Sequence, residues 1–137
     1  MYPEIFSDII ISVSTPFIEI YNQAFTAQQL NLSEIAGVGY RKALEFLIKD
    51  YLIQIKPDNK DSIEKSLLMS CISQFVDNDK IKSVAQRAVW LGNDETHYIK
   101  KWTTKTIEDL KILIKLTVRW IEMEKLTLHY EDEMPRR

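Results

Sequence analysis

The segment that most constrains this chain is its last long one. Thr106-Ile-Glu-Asp109 has capping-box spacing: the threonine hydroxyl accepts from a first-turn N–H, and the aspartate carboxylate accepts from the threonine's own N–H. Apolar residues at helical intervals then run from Ile107 to Leu128. Glu108, Lys111, Lys115, Arg119 and Glu122, three and four apart, form a single solvated stripe. Around the rest of the circumference Leu110, Ile112, Leu113, Ile114, Leu116, Val118, Trp120, Ile121 and Met123 are apolar. A helix apolar on most of its surface sits centrally in a bundle or lies in a contact between subunits. Burying such side chains contributes about 1.5–3 kcal/mol each before entropy is subtracted, so this helix is expected to dominate the core.

The remaining segments are compatible with the same class. With 3 glycines and 4 prolines, the prolines near the ends or in one loop, few places in the middle of the chain break a helix. A total of 137 residues is enough for one core and too short for two, so residues 1–137 are expected to form a single all-α bundle of about five helices. The short β-branched run Ile9-Ile10-Ile11-Ser12-Val13 suits a strand or a helix equally, which leaves residues 1–14 as an N-terminal arm. Thr15-Pro16 opens the first helix, to about Gln29, with Phe17, Ile20, Tyr21 and Ala24 on one face. The second, capped by Asn31 or Ser33, extends to about Ile55 with Ala36, Tyr40, Ala43, Leu47 and Tyr51 as its core stripe. Gly37 and Gly39 near its start mark either close approach by a neighbour or a frayed first turn.

Asp61-Ser-Ile-Glu64 then begins a third helix in which Ile63, Leu67, Cys71 and Phe75 recur at core spacing. Asn78 or Asp79 caps a fourth, with Ile81, Val84, Ala85, Ala88 and Leu91 inward, which stops or bends at Gly92-Asn93. The charged end, 129–137, is expected to be a loose tail.

A net charge of −2 gives no global field toward nucleic acid, so any such contact comes from a local patch. Cys71, the one cysteine, excludes an internal disulfide and a cysteine-based zinc cluster, and implies a cytoplasmic protein. Two histidines, His97 and His129, do not make a histidine metal site, so neither metal nor cofactor is expected. Apolar runs of only a few residues predict no membrane span.

Polar chemistry collects in two places. Arg41 and Glu45, four apart, share a helix face and either pair at the surface or contribute to a site. Asn93 and His97 are also four apart and align if that segment is helical; otherwise they are a helix terminator and a surface imidazole. Directly after them, Tyr98-Ile-Lys-Lys-Trp-Thr-Thr-Lys105 mixes Lys100, Lys101 and Lys105 with two aromatics. Such a loop either contacts phosphates and stacks on unpaired bases or is a solvated loop whose Trp102 packs onto the core.

Gly-Tyr-Arg-Lys-Ala-Leu-Glu-Phe-Leu (39–47), Leu-Gly-Asn-Asp-Glu-Thr-His (91–97) and the final apolar helix resemble the bacterial domain of unknown function 4145. That family is similar to the HEPN superfamily of all-α nucleotide-binding bundles. The resemblance covers roughly Pro16 to Leu128. It implies a homodimer whose facing subunits form a composite cleft, used in many members to cut RNA without a metal. The nuclease motif is an arginine, usually followed by a polar residue, with a histidine shortly after. Asn93 and His97 match its second and third positions, but the arginine position falls on Gly92. Without that guanidinium nothing at 92 orients or neutralises the phosphate while the histidine moves protons. Arg41 or Arg87 would have to reach in from elsewhere.

The expectation is therefore a non-catalytic HEPN-like module that binds RNA or a partner protein, in a defence or restriction setting. The alternatives are a metal-independent ribonuclease using His97 and a structural dimerisation domain. Arg41, Glu45, Asn93 and His97 are expected to meet in one polar site, with Lys100, Lys101, Trp102 and Lys105 beside it.

Overall fold

Small and bulky apolar residues alternate along one side of α3 (Ser33–Ile55), and the whole bundle is built on that helix. The computed structural model describes residues 4–136. Among them the other elements are α1 (Asp8–Val13), α2 (Thr15–Gln29), a 3-10 turn (Pro57–Asn59), α4 (Lys60–Lys65), α5 (Leu68–Phe75), α6 (Asp79–Asp94) and α7 (Ile107–Glu133), with no strand. Every residue of the expected α3 stripe, Ala36, Tyr40, Ala43, Leu47 and Tyr51, is buried, as are the flanking Leu44, Ile48 and Leu52. All the other helices pack against α3.

The closest of these contacts is with α2. A Cβ on Gly39 would stand 2.9 Å from the Ala24 Cβ and 3.4 Å from its Cα, so the glycine and alanine let the two backbones approach. Asn31 makes the reversal between α2 and α3 with a left-handed φ of 61°, a conformation asparagine tolerates better than most residues. Asn31 therefore shapes the turn instead of capping α3, and the N-cap residue Leu32 offers no side-chain hydrogen bond.

The central element is α3, not the last helix as the apolar run of α7 suggested. Only Leu110, Ile114, Thr117, Val118 and Ile121 of the 27 residues in α7 are buried. These meet α6, α3 and α1 along one side, while Ile112, Leu116 and Met123 face outward. The predicted capping box is present, with the Asp109 carboxylate accepting from the Thr106 N–H at 2.9 Å.

The count of helices rises from about five to seven for local reasons. The arm is not irregular: Ser7 caps α1, whose Ile10 and Val13 are buried. Ser14, between α1 and α2, accepts from the Phe17 N–H at 3.1 Å, so Ser14 and not Thr15 caps α2. The expected third helix breaks at Ser66-Leu67 into α4 and α5. Lys49, reaching across from α3, donates to the Ser66 carbonyl at 2.7 Å, and Leu67 swings out to 79% exposure instead of joining the core. At the other end α7 continues through Glu133, so most of the expected loose tail is helical. Cys71 is buried among core residues, and that burial pushes its thiol pKa up, as befits a packing residue. No helix among the described residues is long and apolar enough to cross a membrane.

Candidate functional site

Where α3 crosses α6, Gly92 leaves room for an arginine from the other helix. A Cβ at position 92 would lie 2.6 Å from the Arg41 Cγ and 3.1 Å from its Cβ. Seated there, the Arg41 guanidinium reaches two partners. Its Nε donates to the Asn93 side-chain oxygen at 3.3 Å, and its Nη1 pairs with the Glu45 carboxylate one turn along α3. The other Glu45 oxygen lies 3.0 Å from the Lys49 ammonium. Burial by itself raises the Glu45 pKa, but hydrogen bonds from Arg41 and Lys49, reinforced by their charges, outweigh it and hold the carboxyl below its usual range. The result is a chain of polar groups, Asn93–Arg41–Glu45–Lys49, sewn along the α3–α6 seam.

His97 is not part of that chain. The last α-helical residue is Asp94, and the Glu95 N–H turns back onto the Leu91 and Gly92 carbonyls, so the four-residue spacing from Asn93 to His97 spans a helix end and no longer aligns the two side chains on one face. The imidazole is exposed. It shares with Asn93 a shallow pocket of about 240 Å³, walled also by Trp90, Lys101 and Trp102.

The loop after α6 is fixed by Asp94, only 5% exposed. Its two carboxylate oxygens accept from the Lys101 N–H at 3.2 Å and the Trp102 N–H at 2.8 Å. A carboxylate is ordinarily disfavoured by the negative end of a helix dipole, and these two donors supply the compensation. Held in this way, the Trp102 indole lies almost parallel to Trp90, with an interplanar angle of 6° and centroids 5.6 Å apart. The Arg87 guanidinium sits 5.0 Å from the Trp90 centroid, a cation–π contact. A second cleft of about 350 Å³ opens beside this stack, lined by Arg87, Trp102, Lys105, Asp109 and Ile112.

Of the residues singled out in the sequence, Glu45 and Asn93 are joined through Arg41, and His97, Lys101 and Trp102 border the Asn93 pocket. Lys105 lines the neighbouring cleft. Lys100 lies 3.8 Å from Glu95, whose carboxylate packs over Gly37. Gly37 thus faces a side chain from the end of α6, and Gly39 faces the α2 backbone.

Sequence reasoning missed Asp94 and Trp90. Trp90 carried a usable signal, since Arg87 stands one turn before it at cation–π spacing and Asn93 nearly one turn after it. Asp94 carried none, because both of its donors come from residues further along the chain. Among the described residues no three His, Cys, Asp or Glu side chains form a group able to hold a metal ion.

Fold and site together define a small all-helical domain with paired aromatic clefts at the exit of one helix. The chain matches the model of a domain of unknown function (DUF4145) over residues 22–134, and it belongs to that family. No curated protein and no solved structure matches it. The matched span contains the α3–α6 seam, both clefts and the whole of α7.

Proposed function

We propose that this chain is a HEPN-like, non-catalytic domain that binds single-stranded RNA as a cytoplasmic homodimer, in a defence or restriction setting. The observation that carries the RNA reading is Trp102, laid against Trp90 and flanked by Lys101, Lys105 and Arg87. An aromatic face beside cations takes an unpaired base by stacking and its phosphate by charge, without reading sequence. The overall charge of −2 confines that attraction to this patch.

The non-catalytic part rests on Gly92 and on the commitment of Arg41. Its guanidinium already serves Glu45 and Asn93, which leaves His97 without a dedicated phosphate-binding partner. The same geometry favours one second reading, a metal-independent ribonuclease in which Arg41 replaces the arginine that Gly92 lacks. Labelled RNA incubated with the protein in chelator decides between them. Intact RNA supports the binding module, whereas cleavage abolished by His97→Ala supports the nuclease.

Binding itself is tested by the salt dependence of affinity for single-stranded RNA. Changing Lys100, Lys101 and Lys105 together to glutamine should weaken binding and reduce the slope of log affinity against log salt, by about 0.7 per lost phosphate contact. Trp102→Ala should weaken binding by about 1–3 kcal/mol with little change in that slope. Absence of salt-sensitive binding by the wild type, or identical behaviour of the triple variant, would leave a protein-interaction or dimerisation domain.

A further inference from the structure

The face of α7 turned away from the core is largely apolar, interrupted by the exposed Arg119. Ile112, Leu116, Met123, Leu126, Tyr130 and Met134 are between 45% and 74% exposed. They recur at steps of three, four and seven, the intervals that keep side chains on one side of a helix. The buried residues Leu110, Ile114, Val118 and Ile121 lie on the opposite side. From Ile112 to Met134 the stripe is roughly 33 Å long at 1.5 Å per residue. From Leu126 onward every α7 residue is exposed, so the last two turns project beyond the bundle that backs the rest.

Two properties of the stripe say what covers it. The first is charge. Lys111, Lys115 and Arg119 outnumber Glu108 and Asp109 in the first half of α7, whereas Glu122, Glu124, Glu131, Asp132 and Glu133 far outnumber Lys125 in the second. A second copy lying parallel would set the acidic half beside its own copy, whereas an antiparallel copy sets it beside the half in which basic residues outnumber acidic ones.

The second property is register. Reversed about Met123, the stripe meets itself: Ile112 faces Met134 of the partner subunit, Leu116 faces Tyr130 of the partner subunit, and Lys115, on the same flank of the stripe as Glu133, faces Glu133 of the partner subunit. Met123 meets its own copy, and methionine is the side chain best able to repack across such a contact.

We propose that the protein pairs with a second copy through the outer face of α7, the two helices antiparallel with Met123 on the two-fold axis. This rests on the homodimer reading above and adds the surface, the direction and the register. Because Ile112 also lines the cleft of Arg87, Trp102 and Lys105, Met134 of the partner subunit comes to the rim of that cleft. One helix face is a small contact beside the roughly 800 Å² per partner of a standard interface, so the pairing is sought at tens of micromolar protein.

Cysteine cross-linking of the whole chain tests direction and register together. Met123→Cys should form a disulfide-linked dimer on mild oxidation. An equimolar mixture of Leu116→Cys and Tyr130→Cys should give the mixed dimer in preference to either self-linked one, since a disulfide needs Cα atoms within about 7 Å. Wild type, with Cys71 buried, and Ser73→Cys, exposed on α5, report background and chance collision. Self-linking of Leu116→Cys as efficient as the mixed product would overturn the antiparallel direction. A protein dimeric by mass whose Met123→Cys links no better than Ser73→Cys would overturn the α7 surface and leave the homodimer standing. A strictly monomeric mass at tens of micromolar removes both, while the RNA measurements, made separately, are unaffected by any of these results.

Discussion

The α3–α6 seam and the loop that follows it, 95–106, are neighbours held by opposite means. In the seam, side chains from two helices satisfy one another: Asn93, Arg41, Glu45 and Lys49 are linked in sequence, and Gly92 supplies the space. The loop is held by its backbone, through two N–H groups on the buried Asp94 carboxylate, and by one indole laid on another. Its polar side chains, His97, Lys101 and Lys105, are left facing solvent. Polar groups used up on each other build structure, whereas polar groups presented by a fixed backbone remain available to a partner.

The largest expected effect comes from filling the seam. Gly92→Arg, which installs the arginine of the resembled motif, should destabilise the fold by about 3 kcal/mol, because its Cβ falls on the stem of Arg41 and not on a movable tip. Adding Arg41→Ala should recover part of that loss. Urea midpoints measure both, and a single variant as stable as wild type would show that the seam is looser than described.

Next comes the clamp under the loop. Asp94→Ala strands two part-buried backbone donors and should cost about 1–2 kcal/mol. The loss should be concentrated in the loop, so hydrogen exchange at the Lys101 and Trp102 amides accelerates and tryptophan emission shifts to the red, while exchange within α3 is unchanged. Uniform acceleration through α3 would mean that loop and seam are one unit, and the contrast would fail.

A smaller effect separates the two regions by pH. The Glu45 carboxyl is held low in the folded state, so its contribution to stability is fully present above its unfolded pKa of about 4.3 and is lost as pH falls through the lower folded value. With the side chain 33% exposed, solvent screening keeps the contribution to about 1 kcal/mol or less. Glu45→Gln should flatten that acid limb of the stability profile. An unchanged limb would place the pH dependence elsewhere. Smallest of all is His97→Ala, expected within about 0.5 kcal/mol of wild type; a larger loss would tie the imidazole to the seam after all.

What the sequence disclosed follows the same division. The α3 stripe was legible because its apolar positions keep helical spacing without interruption and all of them are buried. The Arg41–Glu45 pair was legible because both ends lie inside one helix. Leu67 misled because it has core spacing, while the break that expels it is stabilised by Lys49 reaching over from another helix. His97 misled because the end of α6 falls between it and Asn93, and neither residue marks that end. The outer face of α7 misled most: apolarity declares that a surface is to be covered, and it is silent on whether the chain's own core covers it.

The seat of Arg41 on Gly92 has a consequence for how such a chain changes over generations. The two positions are far apart in sequence, yet each forbids what the other permits. An arginine gained at 92 is harmful while 41 keeps its long side chain, and losing the side chain at 41 first leaves Glu45 and Asn93 without their donor. A lineage passing between this arrangement and one with the arginine on α6 has to cross a less stable ancestor, so the two positions are inherited as a pair, and a substitution surveyed at either one alone will look more harmful than the two together.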